Sequence, residues 1–379
     1  MTSARQRSAL TLVVEPNPGG HRFQAVADVA RLAGQNGAVA LLTSTGARDR
    51  QEFAVHLADV PVEVYENFER FEPDGSEMAA AVAAFCTAHR TDTVVIMDGD
   101  VALKTWWFSA ARAFRTVRPR PRVLYFLTRY PARLELSDVA HWRIRIAKGV
   151  LILLAMGTKT IQRAAGFAGR EEKHRGWLVK RARDPAHCHA HSDDRSAIRA
   201  ELGLPADRPL VGIFGGINAR KDPPMVLDAV LHAGLPADLL LAGPVDEQMR
   251  AWLDDLDEGL RARVIVADGL LPDELLDKYL AASDVVALLM SLEGPSGIQG
   301  KAAAAGVPIV TAGSRTRERE LNASGSGIAT ERELAAIGDA LRRVLANEDG
   351  CADARPGLPL PTHESFAATI LGVRQRCAD

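Results

Sequence analysis

Short runs of consecutive apolar residues recur along the chain and alternate with segments of helical period. In the first half, Leu10–Val14, Ala38–Leu42, Thr93–Met97 and Val123–Phe126 read as buried strands. Helices are predicted between them, over about Phe23–Leu32 and Glu77–His89. The alternation restarts after Gly203-Leu204-Pro205, with strands at Leu210–Phe214, Leu239–Ala242, Val264–Val266, Val285–Met290 and Ile309–Thr311. Helices are predicted at about Arg195–Leu202, Pro224–His232, Asp246–Leu256, Pro272–Ala282, Gly297–Ala305 and Glu364–Arg376. Apolar strands separated by helices imply parallel sheets with right-handed crossovers, an α/β class. The pattern divides into a first domain over residues 1–205, a second over 206–350, and a tail, 351–379, whose helix is expected to pack back across the domains.

Length agrees with this division, since 379 residues are too many for one ordinary domain and enough for two cores. A net charge of −2 gives no reason to expect a nucleic-acid partner. Four cysteines lie far apart with no C-x-x-C pairing, which favours free thiols in a reducing cytoplasm. The start, M-T-S-A-R-Q-R-S, has no signal-peptide apolar core. The apolar run Gly149–Gly157 is about half of the ~20 residues a membrane span needs.

Ligands of parallel sheets bind at the carboxyl ends of strands, so the candidate chemistry is sought in those loops. The most informative stretch is Ser291–Pro308, S-L-E-G-P-S-G-I-Q-G-K-A-A-A-A-G-V-P. A strand, a glycine turn and a helix N-terminus there form an anion site, and Glu293 at its mouth suggests hydroxyls beside the anion, as in a sugar nucleotide. Arg220 and Lys221 end a glycine-rich loop after Phe214, where a cation can meet a diphosphate. Gly19-Gly20 mark a first strand–helix turn that lets a backbone approach a ligand. Asp98-Gly99-Asp100 has the form of a D-x-D metal motif, with an acidic capping turn as the preferred reading. His187-Cys188-His189-Ala190-His191 lacks standard zinc spacings and reads as inter-domain linker. Between Val101 and Leu134 there are eight basic residues and no acidic ones, with Trp106, Trp107 and Phe108 at the start. Such a segment could meet anionic lipid headgroups or a phosphorylated acceptor; a solvated helix face with buried tryptophans is the plainer reading.

Taken together, these motifs resemble the retaining nucleotide-sugar glycosyltransferases of the GT-B architecture, in particular glycosyltransferase family 4. The matching residues are G-x-x-x-x-K at Gly216–Lys221, the strand, glycine turn and helix of Val264–Tyr279, and Ala281-Ala282-Ser283-Asp284. They culminate in S-x-E-G-x-x-x-x-x-x-E-A-x-A-x-G-x-P, matched by Ser291–Pro308 at all but one family position. The resemblance implies two doubly wound Rossmann-like domains facing across a cleft. It gives Glu293 a contact with the donor sugar and gives Lys221, aided by Arg220, the leaving diphosphate. Ser296, Gly297 and Ile298 would supply backbone amides to that diphosphate, with Gly216 in the phosphate loop. Gly269 and Leu270 would border the base, and Gly19 and Gly20 would close on the donor. No cofactor or essential metal is implied. The acceptor (a small molecule, glycan or lipid-linked hydroxyl) is left open.

Three positions depart from the family pattern. Its second acid is Lys301 here, and an ammonium cannot accept hydrogen bonds from ribose hydroxyls. Gly216 stands where the phosphate loop often carries arginine, and Thr128-Arg129 stand where a histidine often ends an N-domain strand. The leading expectation is a cytoplasmic, metal-independent retaining hexosyltransferase, with peripheral contact at the inner membrane surface through residues 101–134. The alternative is a GT-B-like binding or partner protein with altered donor recognition.

Overall fold

A computed structural model describes residues 9–19, 22–130, 139–173, 175–290, 293–348 and 357–373. The chain divides into two compact units. The first holds the described residues up to Ala168, Lys173–Arg183 and the helix His363–Leu371; the second holds Gly169–Glu172 and the rest of the chain from Asp184 to Thr362.

The first unit carries seven strands: β1 (Ala9–Val14), β2 (Gly37–Ser44), β3 (Glu63–Phe68), β4 (Thr93–Ile96), β5 (Arg122–Leu127), β6 (Arg163–Ala168) and β7 (Val179–Arg183). They pair in parallel in the order β3-β2-β1-β4-β5-β6-β7. Leu12 and Val14 enter one hydrophobic cluster and Val13 the other, as the two-residue side-chain period requires of a sheet covered on both faces.

The second unit carries β8 (Leu210–Phe214), β9 (Asp238–Gly243), β10 (Val264–Asp268), β11 (Val285–Leu288), β12 (Ile309–Ala312) and β13 (Gly327–Thr330). Their order is β10-β9-β8-β11-β12-β13, again all parallel. In each sheet the winding reverses beside the first strand, between β1 and β4 and between β8 and β11. Such a switch point leaves a crevice at the carboxyl ends of the two strands.

Four strands were not legible in the hydrophobic pattern. Glu63–Phe68 (EVYENF) and Val179–Arg183 (VKRAR) are polar edge strands, Arg163–Ala168 (RAAGFA) is built of small residues, and Gly327–Thr330 (GIAT) is short. Residues 184–205, expected with the first domain, pack on the second unit. Ile198 and Leu204 join a cluster with Leu210 and Phe214. Buried Arg199 donates to the Ala282 carbonyl at 2.9 Å and pairs with Asp284 at 2.5 Å. The tail helix His363–Leu371 sits in the first unit against Arg22–Gly34, burying Phe366 and Ile370 in its core, with His363 Nδ1 2.9 Å from Asp28. Among the described residues no helix is long and apolar enough to cross a membrane.

Candidate functional site

β8 is fully buried and ends at Gly215, whose φ of +73° favours glycine. The loop after it folds back on itself: Asn218 accepts from the Arg220 amide at 3.1 Å, and its carbonyl accepts from the Lys221 amide at 2.9 Å. Asp222 then caps the helix Pro223–His232, with proline in the first turn. This fold-back lays the Lys221 ammonium over Gly215, where a Cβ would lie 3.1 Å from Nζ, and Nζ donates to the Phe214 carbonyl. Burial, and secondarily the Arg220 charge, push the Lys221 pKa down to about 7. No described carboxylate forms an ion pair with it. Arg220 is exposed beside it. A poorly compensated ammonium at a switch point is a place for a ligand anion.

On the neighbouring strand, β11 leads to Glu293, whose carboxylate turns toward the start of the helix Arg315–Ser324. Its oxygens accept from the Thr316 hydroxyl at 2.9 Å, the Arg315 and Thr316 amides at 3.0 and 3.2 Å, and the Ser314 hydroxyl at 3.1 Å. Partial desolvation works against ionisation, but these hydrogen bonds outweigh it and hold the pKa below the ordinary glutamate value. Glu293 is therefore a charged cap joining the turn after β11 to that helix.

Ser296 caps the next helix, Gly297–Ala304, its hydroxyl accepting from the Gln299 amide at 3.4 Å. The amides of Gly297 and Ile298 lie in its first turn, where no intrahelical acceptor exists. Ile298 itself is buried, so it offers the backbone alone. A carboxylate already attends this end: a Cβ on Gly297 would lie 3.4 Å from Asp184 Oδ2. Gly269 has φ +117° with open space around it, directly after Asp268, which pairs with Arg250 at 2.6 Å; Leu270 follows it.

Lys301 is engaged by the neighbouring helix. Its Nζ is 2.7 Å from Asp277 and 3.8 Å from Asp273, both on the helix Asp273–Ala282. The other oxygen of Asp277 accepts from the His189 amide at 2.9 Å and lies 2.8 Å from His189 Nδ1. Of the three histidines in the 187–191 stretch, His187 and His189 meet edge to face with ring centroids 4.5 Å apart, while His191 Nδ1 lies 3.1 Å from Asp193.

In the first unit Gly19 follows β1, its amide donating to Asn17 Oδ1 at 2.9 Å; Gly20 lies outside the described residues. Two groups at this switch point were missed in the sequence. Glu15, buried directly after β1, has its pKa raised to about 8, first by burial and then by Asp98, against the pull of Arg22 3.5 Å away. Arg22 also pairs with Asp98. A glutamate ending an apolar strand was the available signal. The D-x-D carboxylates are held by the protein itself: Asp98 by Arg22, and Asp100 by Lys148, the Arg129 amide (2.9 Å) and the Thr128 hydroxyl (3.0 Å). Trp106 of the basic segment is a core residue, while Phe108 is exposed.

The sequence-predicted residues of the second unit therefore share the carboxyl edge of one sheet: Gly216, Arg220 and Lys221 after β8, Glu293 and Ser296–Ile298 after β11, and Gly269-Leu270 after β10. Two doubly wound parallel-sheet domains of this kind are the GT-B fold. Solved structures with the same fold include Anabaena HepE in complex with UDP (18% identity, TM-score 0.62, covering 96% of this chain and 95% of that one). A glycosyltransferase from Rickettsia africae (11%, 0.63, 96% and 94%) and WaaG, a glycosyltransferase involved in lipopolysaccharide biosynthesis (15%, 0.60, 96% and 100%), share it too. Residues 208–347 match the family described as Glycosyl transferases group 1. A D-inositol 3-phosphate glycosyltransferase of Xylanimonas cellulosilytica is 34% identical over 122 residues, which is 31% of this chain and 29% of that protein's length.

Proposed function

We propose that this protein transfers a sugar from a nucleotide-sugar donor to a hydroxyl acceptor, with retention at the anomeric carbon and without an essential metal. The observation that carries this reading is Lys221. Its ammonium stands at the carboxyl end of β8 without a carboxylate partner among the described residues, beside Arg220, and the neighbouring strand leads to the helix N-terminus at Gly297. A diphosphate would supply the missing charge, and the same contacts would strengthen as the leaving group gains charge in the transition state.

Retention rests on the resemblance of the S-x-E-G turn to the retaining family. Metal independence is supported by the chemistry of the donor set, since Lys221, Arg220 and helix amides can neutralise a diphosphate and the D-x-D carboxylates are engaged by cationic side chains. The Glu293 carboxylate is ionised, as a partner for a cationic anomeric centre must be, although its described contacts cap a helix. We assign it both the positioning of this turn and the contact with the donor sugar. The comparisons do not favour the binding-protein alternative.

UDP-sugars head the donor panel, because HepE, of the same fold, is seen with UDP and UDP-glucose. Purified protein is incubated with UDP- and GDP-sugars and an acceptor library, with and without EDTA. Release of nucleoside diphosphate unaffected by EDTA, with a product anomer matching the donor, is the expected result. Absence of both turnover and binding across the panel would sink the transferase reading; inversion of the anomer would remove retention alone.

A further inference from the structure

The helix Val139–Gly157 in the first unit is amphipathic in the wrong sense for a protein surface. Ile152 and Ala155 face the core. The opposite positions, Ile146, Ala147, Val150, Leu153 and Leu154, are exposed, Val150 by 50%. Their spacing of three and four residues makes one continuous stripe. Isolated exposed aliphatics are ordinary, but a contiguous stripe marks a surface that is covered by something else.

Beside the stripe runs a groove of about 820 Å³, lined by Ile146, Val150 and Leu153 on one side and by the segment 175–181 on the other. Trp177 stands at its edge, 81% exposed. The groove also carries Arg145, Arg175, Lys180 and Arg181, and no acidic side chain among the described residues that line it. Exposed Arg143 extends the basic rim along the helix.

We infer that this face docks on an anionic lipid bilayer, with the stripe and Trp177 in the headgroup boundary and the basic side chains against lipid phosphates. Charge selects this occupant. A second copy of the chain, meeting the same patch by two-fold symmetry, would set these cations against their own copies. An anionic membrane matches apolar centre and basic rim together, and tryptophan favours the interfacial depth. The helix lies on the membrane and does not span it. Among the described residues of the segment 101–134, Trp106 is in the core, and the exposed Val101 and Phe108 are separated at the intervening helical positions by Lys104 and Thr105 and form no continuous stripe. The inference goes beyond sugar transfer, and its test reads binding without turnover.

Sedimentation with vesicles of phosphatidylcholine and phosphatidylglycerol, against phosphatidylcholine alone, tests it. Wild-type protein is expected to pellet with the anionic vesicles and to be released by high salt, with a blue shift of tryptophan emission that Trp177→Phe removes. Val150→Asp/Leu153→Asp is expected to reduce the bound fraction about tenfold or more at an unchanged melting temperature. Arg112→Ala/Arg115→Ala/Arg118→Ala is expected to pellet like wild type. The inference is overturned if wild type stays in the supernatant at low ionic strength, or if the double aspartate variant pellets equally well. It is also overturned if light scattering shows a wild-type dimer that this variant dissociates, since the face would then be a self-interface.

Discussion

The ammonium of Lys301 lies 2.7 Å from Asp277, a carboxylate with no exposed surface. Lys301 is thus half of a local ion pair, and its charge is answered within the second unit by the helix Asp273–Ala282. With His189 on its other oxygen, Asp277 is fully engaged only while Lys301 is present.

Removing the lysine leaves a buried carboxylate uncompensated, so Lys301→Met is expected to cost about 3 kcal/mol or more in urea unfolding. Reversing the charge, Lys301→Glu, sets two carboxylates together and is expected to cost more. Adding Asp277→Asn to Lys301→Glu should recover much of the loss. A Lys301→Glu protein as stable as wild type would show that this pair does not hold the region together.

Lys221 ties stability and donor binding to pH. Its folded pKa, about 7, lies below the ordinary value of 10.5. Between these values the unfolded chain holds the extra proton, so this group makes stability rise with pH across that window. Lys221→Met should lose this slope, be more stable than wild type by about 1 kcal/mol at pH 6, and bind UDP about 100-fold more weakly. Wild type should take up a proton on binding UDP at pH 8, read by calorimetry in buffers of different ionisation enthalpy. No proton uptake would contradict the pairing of Lys221 with the diphosphate.

Glu293→Gln keeps the shape of the cap and removes its charge. A loss of about 1 kcal/mol in stability is expected from the weakened helix cap. Turnover is expected to fall about 100-fold or more while UDP binding changes little, because the charge is needed at the sugar and not at the diphosphate. Unaltered kcat would leave Glu293 a structural residue alone.

Glu15 gives the opposite slope. Its folded pKa of about 8 exceeds the ordinary 4.5, so the folded chain holds the extra proton between these values and stability falls as pH climbs through them. Glu15→Gln, close to the protonated form in shape, should flatten that part of the stability curve and exceed wild type in stability at pH 8. Parallel wild-type and variant curves would remove Glu15 as the titrating group.

The hydrophobic runs alone determined the class of fold, because a strand buried on both faces must be apolar at consecutive positions. That is why β1, β4, β8, β9 and β11 were legible, while β3 and β7, whose register comes from a neighbouring strand, were not. The glycine turns and the lysine at 221 could likewise be placed at strand ends from order alone. What each charged group faces was decided only by tertiary structure. Glu293 meets the helix Arg315–Ser324, Lys301 meets Asp277, and Arg22 meets Asp98, across 22, 24 and 76 residues of sequence respectively. Charge–charge contact depends on distance in space, and spacing along the chain carries no record of it once the partners lie on different elements.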